Sequence, residues 1–223
     1  MDVRIITLGI TNCYLIKGEQ GYILVDAGGL YKARSFVRKL RGLNIGPLDI
    51  KLIIVTHGHY DHVGSLAEIK KLCKAKVAMT PFENDIVAQG QVVIPAGTNV
   101  IGRIVSRIGK IFYFLLKFKK VEAEYLITDD FPLDDFGVKG KVVLTPGHTK
   151  GSLSIILEDG QAMVGDLAMN KPIGYIFPLF AEEPELIYPS WRKLVDLGVN
   201  TVYPAHGAPF SIDLIRDKLG KVE

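Results

Sequence analysis

The feature that most constrains this chain is a loop, Thr-His-Gly-His-Tyr-Asp-His at residues 56–62, that directly follows the apolar run Lys51–Thr56. The run Lys-Leu-Ile-Ile-Val-Thr predicts a central buried strand, since strands covered on both faces read as continuous apolar segments. Three histidines and one aspartate within six residues are costly to hold together at the end of such a strand unless something binds them. We therefore expect a metal site where this strand ends.

The chemistry of the loop favours zinc or a related first-row ion, because imidazole and carboxylate are ligands that such ions prefer. Gly58 separates His57 from His59 and is predicted to let the backbone turn tightly, so that both rings converge on one ion. Asp61 and His62 are predicted to begin the next helix and therefore to serve a second ion. Two ions about 3.5 to 4 Å apart can share a hydroxide and contact an attacking and a leaving oxygen together.

The remaining histidines fit the same pattern, since all five histidines of the chain lie beside turn or strand-end signals. His148 lies in Pro-Gly-His-Thr, and His206 lies in Tyr-Pro-Ala-His-Gly. Asp166 directly follows the predicted strand Gln161–Gly165. Loops at strand ends carry function on a rigid scaffold. The recurring order of strand, turn and metal-competent side chain therefore predicts one shared site.

Length and patterning predict a single domain over residues 1–223, with strands and helices alternating along it. A chain of this size buries roughly 70% of the surface that its unfolded form exposes, and no low-complexity linker interrupts it. Two hairpins are predicted, Asn12–Lys17 with Tyr22–Asp26 and Leu153–Leu157 with Gln161–Gly165. Helical spacing predicts further elements at Tyr31–Leu43, Ser65–Cys73, Pro81–Gln89 and Pro184–Leu197.

Cysteine usage and hydropathy predict a cytoplasmic protein. Cys13 and Cys73 are too few for a disulfide framework and have no paired metal-binding spacing, which indicates a reducing compartment. The N-terminal residues are typical of a strand and not of a signal peptide. The longest uninterrupted apolar run, Ile111–Leu116, has six residues, whereas a membrane span needs about 20. We therefore expect no transmembrane helix.

A basic, apolar helical insert is predicted at about residues 92–125. Residues 98–120 contain six lysines and arginines and no acid, a local charge of +6; because the chain totals +3, the remainder carries −3. The apolar residues of this stretch recur at helical spacing, with Arg103, Arg107 and Lys110 on another face. The basic character of the chain therefore belongs to one element.

The pattern of residues 98–120 is compatible with three interpretations. The apolar stripe could pack on the domain or on a second subunit of a homodimer; it could form a lid that selects an apolar acyl group in a small-molecule substrate; or it could make peripheral contact with an anionic membrane. A nucleic-acid partner is disfavoured, because no stacking aromatics are interleaved with a broader basic surface.

The motifs, in their order, resemble the metallo-β-lactamase fold superfamily: NCYLI, ILVDAGG, THGHYDH, PGHTKGS, VGD and YPAHG. This resemblance covers nearly the whole chain and implies an α+β fold, a four-layer αββα sandwich of two mixed β-sheets flanked by helices. It implies a dinuclear site in a cleft at one edge of the sheets. The implied ligands are His57, His59 and His148 for the first metal, Asp61, His62 and His206 for the second, and Asp166 as the bridge. Asp26 would support them from outside the ligand set.

Departures from particular branches of that superfamily narrow the activity. Asp166 stands where zinc β-lactamases of the best-known subclass have cysteine, which disfavours antibiotic hydrolysis, and His59 stands where flavodiiron proteins have an acid. The segments PGHTKGSL and VYPAHG are most similar to glyoxalase II, but its C-terminal glutathione-binding helices are not expected after His206. Met169 stands where quorum-quenching lactonases have tyrosine. The resemblance therefore implies no particular substrate.

The predicted activity is metal-dependent hydrolysis with two zinc ions per chain, although iron and manganese suit the same ligands. We expect a hydroxide held between the ions to attack an ester, thioester or lactone carbonyl, and Asp61 to orient it as the catalytic residue. Lys171, Tyr175 or Tyr203 would assist the carbonyl oxygen. The alternatives are a mononuclear iron oxidoreductase that resembles persulfide dioxygenases and a phosphodiesterase of the same fold.

Overall fold

The computed structural model describes residues 1–221, and these residues form two six-stranded sheets. The first sheet follows chain order, with β1 to β3 antiparallel and β3 to β6 parallel. The antiparallel part is the predicted N-terminal hairpin extended by one strand. The bounds are β1 Val3–Leu8, β2 Thr11–Gly18, β3 Gly21–Val25, β4 Ile50–Ile54, β5 Lys76–Met79 and β6 Tyr125–Leu126.

The second sheet has the order β12-β11-β10-β9-β8-β7. Strands β7 to β10 are antiparallel, β10 and β11 are parallel, and β11 and β12 are antiparallel. Both sheets are therefore mixed. The bounds are β7 Phe131–Pro132, β8 Gly140–Leu144, β9 Leu153–Leu157, β10 Gln161–Gly165, β11 Thr201–Pro204 and β12 Phe210–Ser211.

Helices cover the outer face of each sheet. Their bounds are α1 Ala33–Gly42, α2 Tyr60–Val63, α3 Leu66–Cys73, α4 Pro81–Gln89, α5 Val100–Phe112, α6 Ile187–Asp196 and α7 Asp213–Leu219. Short 3₁₀ turns occupy Pro47–Asp49, Tyr113–Leu116, Asp134–Phe136 and Pro184–Leu186. Among the helices of residues 1–221, none combines the length and the apolar character that crossing a bilayer requires.

Three apolar clusters hold the layers together: one lies between the two sheets, and one lies between each sheet and its helices. A single strand contributes to two clusters, because its side chains alternate between the two faces of the sheet. On β2, Tyr14 packs between the sheets, whereas its neighbour Leu15 packs under the outer helices with Phe36 of α1. On β10, Met163 faces the first sheet and Val164 packs with the helical layer that contains Trp191. Strands that are buried on both faces must be apolar throughout, which is why the sequence shows continuous runs there.

This architecture confirms the predicted four-layer αββα sandwich of two mixed sheets flanked by helices. The predicted strand Lys51–Thr56 corresponds to β4, and the second hairpin has the predicted bounds. The two-residue strands β6, β7 and β12 carry no apolar alternation of their own, since a pairing that short leaves no pattern in a sequence.

The apolar stripe of residues 98–120 does not pack on the domain, which was one of the interpretations left open by the sequence. Helix α5 contacts the domain through Gly102 and Ser106, its two buried residues, and not through its apolar stripe. A Cβ added at Gly102 would lie 2.3 Å from the carbonyl oxygen of Leu179, so glycine is what lets the helix approach this closely. Within residues 1–221 the isoleucines of the stripe are exposed, and packing on the domain was therefore the wrong expectation for them.

We predict that Phe36→Ala lowers the free energy of unfolding by about 3 to 5 kcal/mol, because the large ring is fully buried between α1 and the first sheet. Urea unfolding can be followed by the fluorescence of Trp191, the single tryptophan of the chain, which lies in the opposite helical layer. Arg38→Ala, at an exposed position of the same helix, is the control and should change stability by less than about 0.5 kcal/mol. Equal effects of the two substitutions would contradict the packing described for α1.

Candidate metal centre

A group of three histidines forms the first part of the site. Nε2 of His148 lies 3.2 Å from Nε2 of His57 and 3.0 Å from Nδ1 of His59. All three rings are buried. The three nitrogen atoms therefore converge on one small volume, although the residues come from two different sheets.

A second group contains Asp61, His62 and His206. Oδ2 of Asp61 lies 3.3 Å from Nε2 of His206 and 3.9 Å from Nε2 of His62. His62 is fully buried, whereas Asp61 and His206 are partly exposed. This group is therefore the part of the site that is nearer to solvent.

Asp166 lies between the two groups. Its Oδ2 is 3.6 Å from Nε2 of His148 and 3.4 Å from Nε2 of His206, and its Oδ1 is 3.4 Å from Nε2 of His62. One carboxylate thus reaches a nitrogen of the first group and two of the second. All seven residues that the sequence predicts as ligands come together at one place in the structure.

Strand ends bring these side chains together. His57 and His59 follow β4, His148 follows β8, Asp166 follows β10, and His206 follows β11. Strand β10 is parallel to β11, so their carboxyl ends meet at one edge of the second sheet. The edge of the first sheet lies against it, where the backbone N–H of Leu153 donates to the carbonyl oxygen of Thr56 at 3.0 Å. The site therefore occupies the seam between the sheets.

Asp61 and His62 lie on helix α2, as the sequence predicts, whereas His57 and His59 lie in the loop before it. In this loop, His57 and His59 converge as expected, although Gly58 does not adopt a positive φ. A Cβ at Gly58 would instead lie 3.0 Å from Oε2 of Glu83 and 3.2 Å from Cγ2 of Val87. Glycine is required here for space beneath α4, and not for an unusual turn.

Asp26 holds His62 from outside the ligand set. Its Oδ2 lies 2.8 Å from Nδ1 of His62, while Thr56 donates to Asp26 from its backbone N–H at 2.8 Å and from its hydroxyl at 2.8 Å. Asp26 has a φ of 62°, a left-handed conformation that aspartate tolerates better than most residues. The hydrogen bond to Nδ1 leaves Nε2 of His62 as the nitrogen that faces the site.

Two backbone carbonyls orient His148 and His206 in the same way. Nδ1 of His148 lies 2.8 Å from the carbonyl oxygen of Phe180, and Nδ1 of His206 lies 3.1 Å from that of Ile10. In each case an Nδ1–H that donates to the carbonyl frees Nε2 to act as a ligand. Any residue supplies a carbonyl, so sequence reasoning has no signal for these two contacts.

Glu83 on α4 is a functional residue that sequence reasoning missed. Its Oε2 accepts the backbone N–H of Gly58 at 2.7 Å, and its Oε1 accepts the hydroxyl of Thr149 at 2.6 Å. It therefore connects the two loops that carry His57, His59 and His148. The sequence Thr80-Pro-Phe-Glu83 has the pattern of a helix capping box, so the available signal pointed to a local role. The Thr80 side chain does cap α4, but the Glu83 carboxylate turns to the site instead.

The two ligand groups differ in charge. Burial lowers the pKa of His57, His59 and His148, that of His59 to about 3, so these three rings are neutral at neutral pH. Burial also opposes charge on His62 and His206, but Asp26 and Asp166 outweigh it at His62, and Asp166 and Asp61 outweigh it at His206, where the pKa rises to about 10. In the metal-free chain one group is therefore neutral and the other is an ion-pair network.

The residues fit a divalent metal. Among the described residues, Nε2 of His62 and Oδ1 of Asp166 are buried polar atoms of the site that have no hydrogen-bond partner. Such atoms cost about 1 to 3 kcal/mol each unless a bound group satisfies them. A tetrahedral ion with bonds of about 2.0 to 2.1 Å needs ligand atoms roughly 3.3 Å apart, close to the 3.0 and 3.2 Å spacing of the three-histidine group.

A pocket of about 450 Å³ opens over the metal centre. Asp61, Asp166 and three of the histidines form its floor, and apolar side chains from the insert and the 169–180 segment form its walls. Lys171 lies in the wall. Tyr203 instead donates to Gln161 at 2.8 Å, outside the pocket lining, and the hydroxyl of Tyr175 accepts from Asn99 at 2.8 Å. Of the three predicted assistants, only Lys171 reaches the pocket.

We predict that Glu83→Gln weakens binding of the first metal ion about 10- to 100-fold, since loss of a residue that orients ligands has effects of this size. The amide keeps one acceptor oxygen but cannot accept from both Gly58 and Thr149. Competition with a chromophoric chelator measures the affinity. Asp85→Ala, at an exposed position of the same helix, is the control and should leave the affinity unchanged. A wild-type affinity in the Glu83 variant would refute the connecting role.

We predict that metal binding to the metal-free protein releases protons at about pH 7, because an ion must displace the protons on His62 and His206. The raised pKa values mean that affinity increases with pH, up to about 10 for His206. Calorimetric titration in buffers of different ionisation enthalpy counts the protons. His206→Ala should release one proton fewer, and a wild-type titration that does not depend on the buffer would contradict the assigned charges.

Comparisons with known proteins agree with this geometry. A family model described as the metallo-β-lactamase superfamily matches residues 6–206. The probable metallo-hydrolase YflN of Bacillus subtilis is 25% identical, over 92% of this chain and 84% of its own length. The solved BLEG-1 B3 metallo-β-lactamase has a TM-score of 0.73 at 20% identity and covers 97% of both chains. TTHA1623 in a di-iron-bound form has a TM-score of 0.71 at 22% identity, over 95% of this chain and 96% of its own.

The two structural likenesses concern the fold, whereas the family model spans the sequence from β1 to His206 and thus includes all seven converging side chains. On this basis the chain belongs to the metallo-β-lactamase superfamily.

Proposed function

We propose that the protein is a hydrolase that holds two divalent metal ions and cleaves an ester, thioester or lactone-type bond in a substrate with an apolar acyl group. The observation that carries this proposal is the position of Asp166, whose two oxygens lie within 3.6 Å of both ligand groups. Relatives named as probable metallo-hydrolases support metal-dependent hydrolysis in general.

The residues divide between two ions in this proposal. His57, His59 and His148 would hold the first ion, Asp61, His62 and His206 the second, and Asp166 both. Histidine with carboxylate suits zinc, and iron or manganese would fit the same ligands; a solved structural neighbour, TTHA1623, is described in a di-iron-bound form. When bound, such ions polarise a carbonyl oxygen and lower the pKa of a coordinated water from 15.7 to about 7.

Asp61 is the residue proposed to act on the attacking water. Its carboxylate lies in the pocket floor, and its Oδ2 accepts from the hydroxyl of Thr11 at 3.3 Å. Burial raises the pKa of Asp61, but the neighbouring His62 and His206 outweigh it and lower the pKa to about 2, so the carboxylate is ionised at neutral pH. An ionised carboxylate beside the reacting carbonyl can accept a hydrogen bond from water and direct its lone pair.

The pocket walls support an acyl substrate. Val93, Ile94 and Leu116 of the insert line the pocket together with Leu179 and Phe180, and Asp61 and Asp166 line it as well. Apolar walls around a small number of polar groups are typical of sites that bind small molecules. Lys171 also lines the pocket and would bind the carbonyl oxygen or an anionic group of the substrate.

Both cysteines support a reducing compartment, and we propose the cytoplasm on this ground. Cys13 and Cys73 are buried and unpaired, and burial raises the pKa of both thiols, which keeps them unreactive.

We predict that Asp61→Ala lowers kcat/KM at least about a hundredfold, because the variant loses the group that orients water. The assay is a panel of p-nitrophenyl esters, acyl thioesters, lactones and phosphodiesters on metal-loaded protein. Asp85→Ala is the matched control, since it removes an exposed carboxylate far along the chain from any ligand. Unchanged esterase and thioesterase activity in Asp61→Ala would refute the proposed role of Asp61.

Elemental analysis separates this proposal from its alternatives. Two zinc ions per chain in protein purified without added metal would support hydrolysis. One iron per chain with oxygen consumption would favour a mononuclear oxidoreductase, and activity confined to phosphodiesters would favour a phosphodiesterase. The complete second group, Asp61, His62 and His206, supports two ions.

A further inference from the structure

The outer face of α5 exposes an unusual amount of apolar surface. Ile101, Ile108 and Ile111 are 65%, 52% and 66% exposed, and the residues that continue this face are exposed by about half or more: Val100, Ile104, Phe112, Tyr113, Phe114 and Leu115. We call this set the α5 outer face. A contiguous apolar surface of this kind marks an interaction site in a water-soluble domain.

The way in which α5 is attached leaves that face uncovered. Gly102, Ser106 and Gly109 recur at intervals of four and three residues and form the side that meets the domain. The hydroxyl of Ser106 donates to the carbonyl oxygen of Pro95 at 2.6 Å, and the cap residue Asn99 donates to Tyr175. The isoleucines lie on another side of the helix and have no part in this attachment.

Positive charge flanks the α5 outer face. Arg103, Arg107 and Lys110 are exposed on a third side of the helix, and none of them has an ion-pair partner among residues 1–221. Lys117 and Lys120 follow the helix, and Lys119 is paired with Glu68 at 2.7 Å. With no acid in residues 98–120, the charge of this element is +6.

We infer that the α5 outer face docks on an anionic lipid bilayer, with the isoleucines and aromatic rings among the acyl chains and Arg103, Arg107 and Lys110 against the phosphate headgroups. Apolar side chains beside Lys and Arg on one short helix are the composition of interfacial helices. With 13 residues, α5 is about 20 Å long, so it lies along the surface.

The charge beside the α5 outer face favours a bilayer over a second copy of the chain as its partner. A two-fold symmetric dimer places the same patch on both sides of its interface, so two copies of Arg103, Arg107 and Lys110 would face each other. An anionic surface instead attracts each cation by about 1 kcal/mol. A nucleic acid is the less favoured partner, because six of the nine residues of the α5 outer face are aliphatic and provide neither the stacking nor the phosphate contacts on which such binding depends.

The docking surface continues into the pocket. Val105 is 48% exposed beside the α5 outer face and also lines the pocket, as do Ser106 and Gly109 behind it. An acyl chain that leaves the bilayer would therefore meet one continuous apolar path toward Asp61 and Asp166. This consequence rests on the proposed hydrolase function, whereas docking itself does not.

Flotation of the metal-loaded protein with vesicles tests docking without any activity measurement. We expect the protein to float with phosphatidylcholine vesicles that contain phosphatidylglycerol, to stay at the bottom with phosphatidylcholine alone, and to be released by salt. The variant Arg103→Gln/Arg107→Gln/Lys110→Gln should partition about a hundredfold more weakly. The matched control, Arg34→Gln/Arg38→Gln/Arg41→Gln, removes the same charge from exposed positions of α1 and should lose less than about threefold.

Insertion of the apolar side chains needs its own probe. Ile111→Trp adds a fluorophore to the α5 outer face, while the native Trp191 is fully buried and contributes a constant background. We expect a blue shift on addition of anionic vesicles and quenching by lipids brominated on their acyl chains. Circular dichroism and thermal midpoints of all variants verify that each is folded.

Three results would overturn the inference. The first is a wild-type protein that floats with neither vesicle, and the second is an equal loss in the α5 and α1 variants, which would indicate net charge alone. The third is a stable dimer in light scattering that Ile108→Glu dissociates, because the α5 outer face would then be a subunit interface. If flotation succeeds while every substrate of the hydrolase panel fails, docking stands and the proposed activity falls.

Discussion

The carboxylates of Asp26, Asp61 and Asp166 lie between 2.8 and 3.9 Å from the ring nitrogens of His62 and His206, at the seam of two apolar sheets. Charges in such a place are stable only when they are paired, because desolvation of a lone ion costs several kcal/mol. The carboxylates hold these two rings in the charged form, while burial keeps the three rings on the other side neutral. One edge of the fold thus contains two electrostatic environments that share Asp166.

The strands create this arrangement, and this explains why so much of the site could be predicted from sequence. Each ligand follows an apolar run, and the end of an apolar run is visible as a turn or a helix start, so His57, His148, Asp166 and His206 could be located along the chain. The resemblance to a known family then grouped them. The role of Glu83 was not predicted, because the sequence pattern around it is already explained by the N-terminal cap of α4. Backbone acceptors such as the carbonyl of Phe180 were not predicted, because any residue type can provide a carbonyl oxygen.

The orientation of α5 could not be predicted for a different physical reason. An amphipathic pattern shows that a helix has two unlike sides, but an apolar side is not always the buried one, since much of any protein surface is apolar. Here Gly102 and Ser106 are the buried residues, because the small size of Gly102 permits close approach to the backbone of Leu179, while Ser106 donates to the carbonyl oxygen of Pro95. The sequence showed the stripe correctly, and only the three-dimensional contacts show that the domain leaves it exposed.

The side of α5 that contains Gly102 and Ser106 also determines which substitutions this helix can tolerate. No large side chain of the helix interlocks with the sheets at that contact, so the residues on its outer side are free of the packing constraints that fix Phe36 or Trp191. Natural or laboratory selection can therefore alter Ile104, Ile108 or Arg107 almost independently of the metal ligands. The proposed docking surface and the proposed metal site can in this sense change separately under selection.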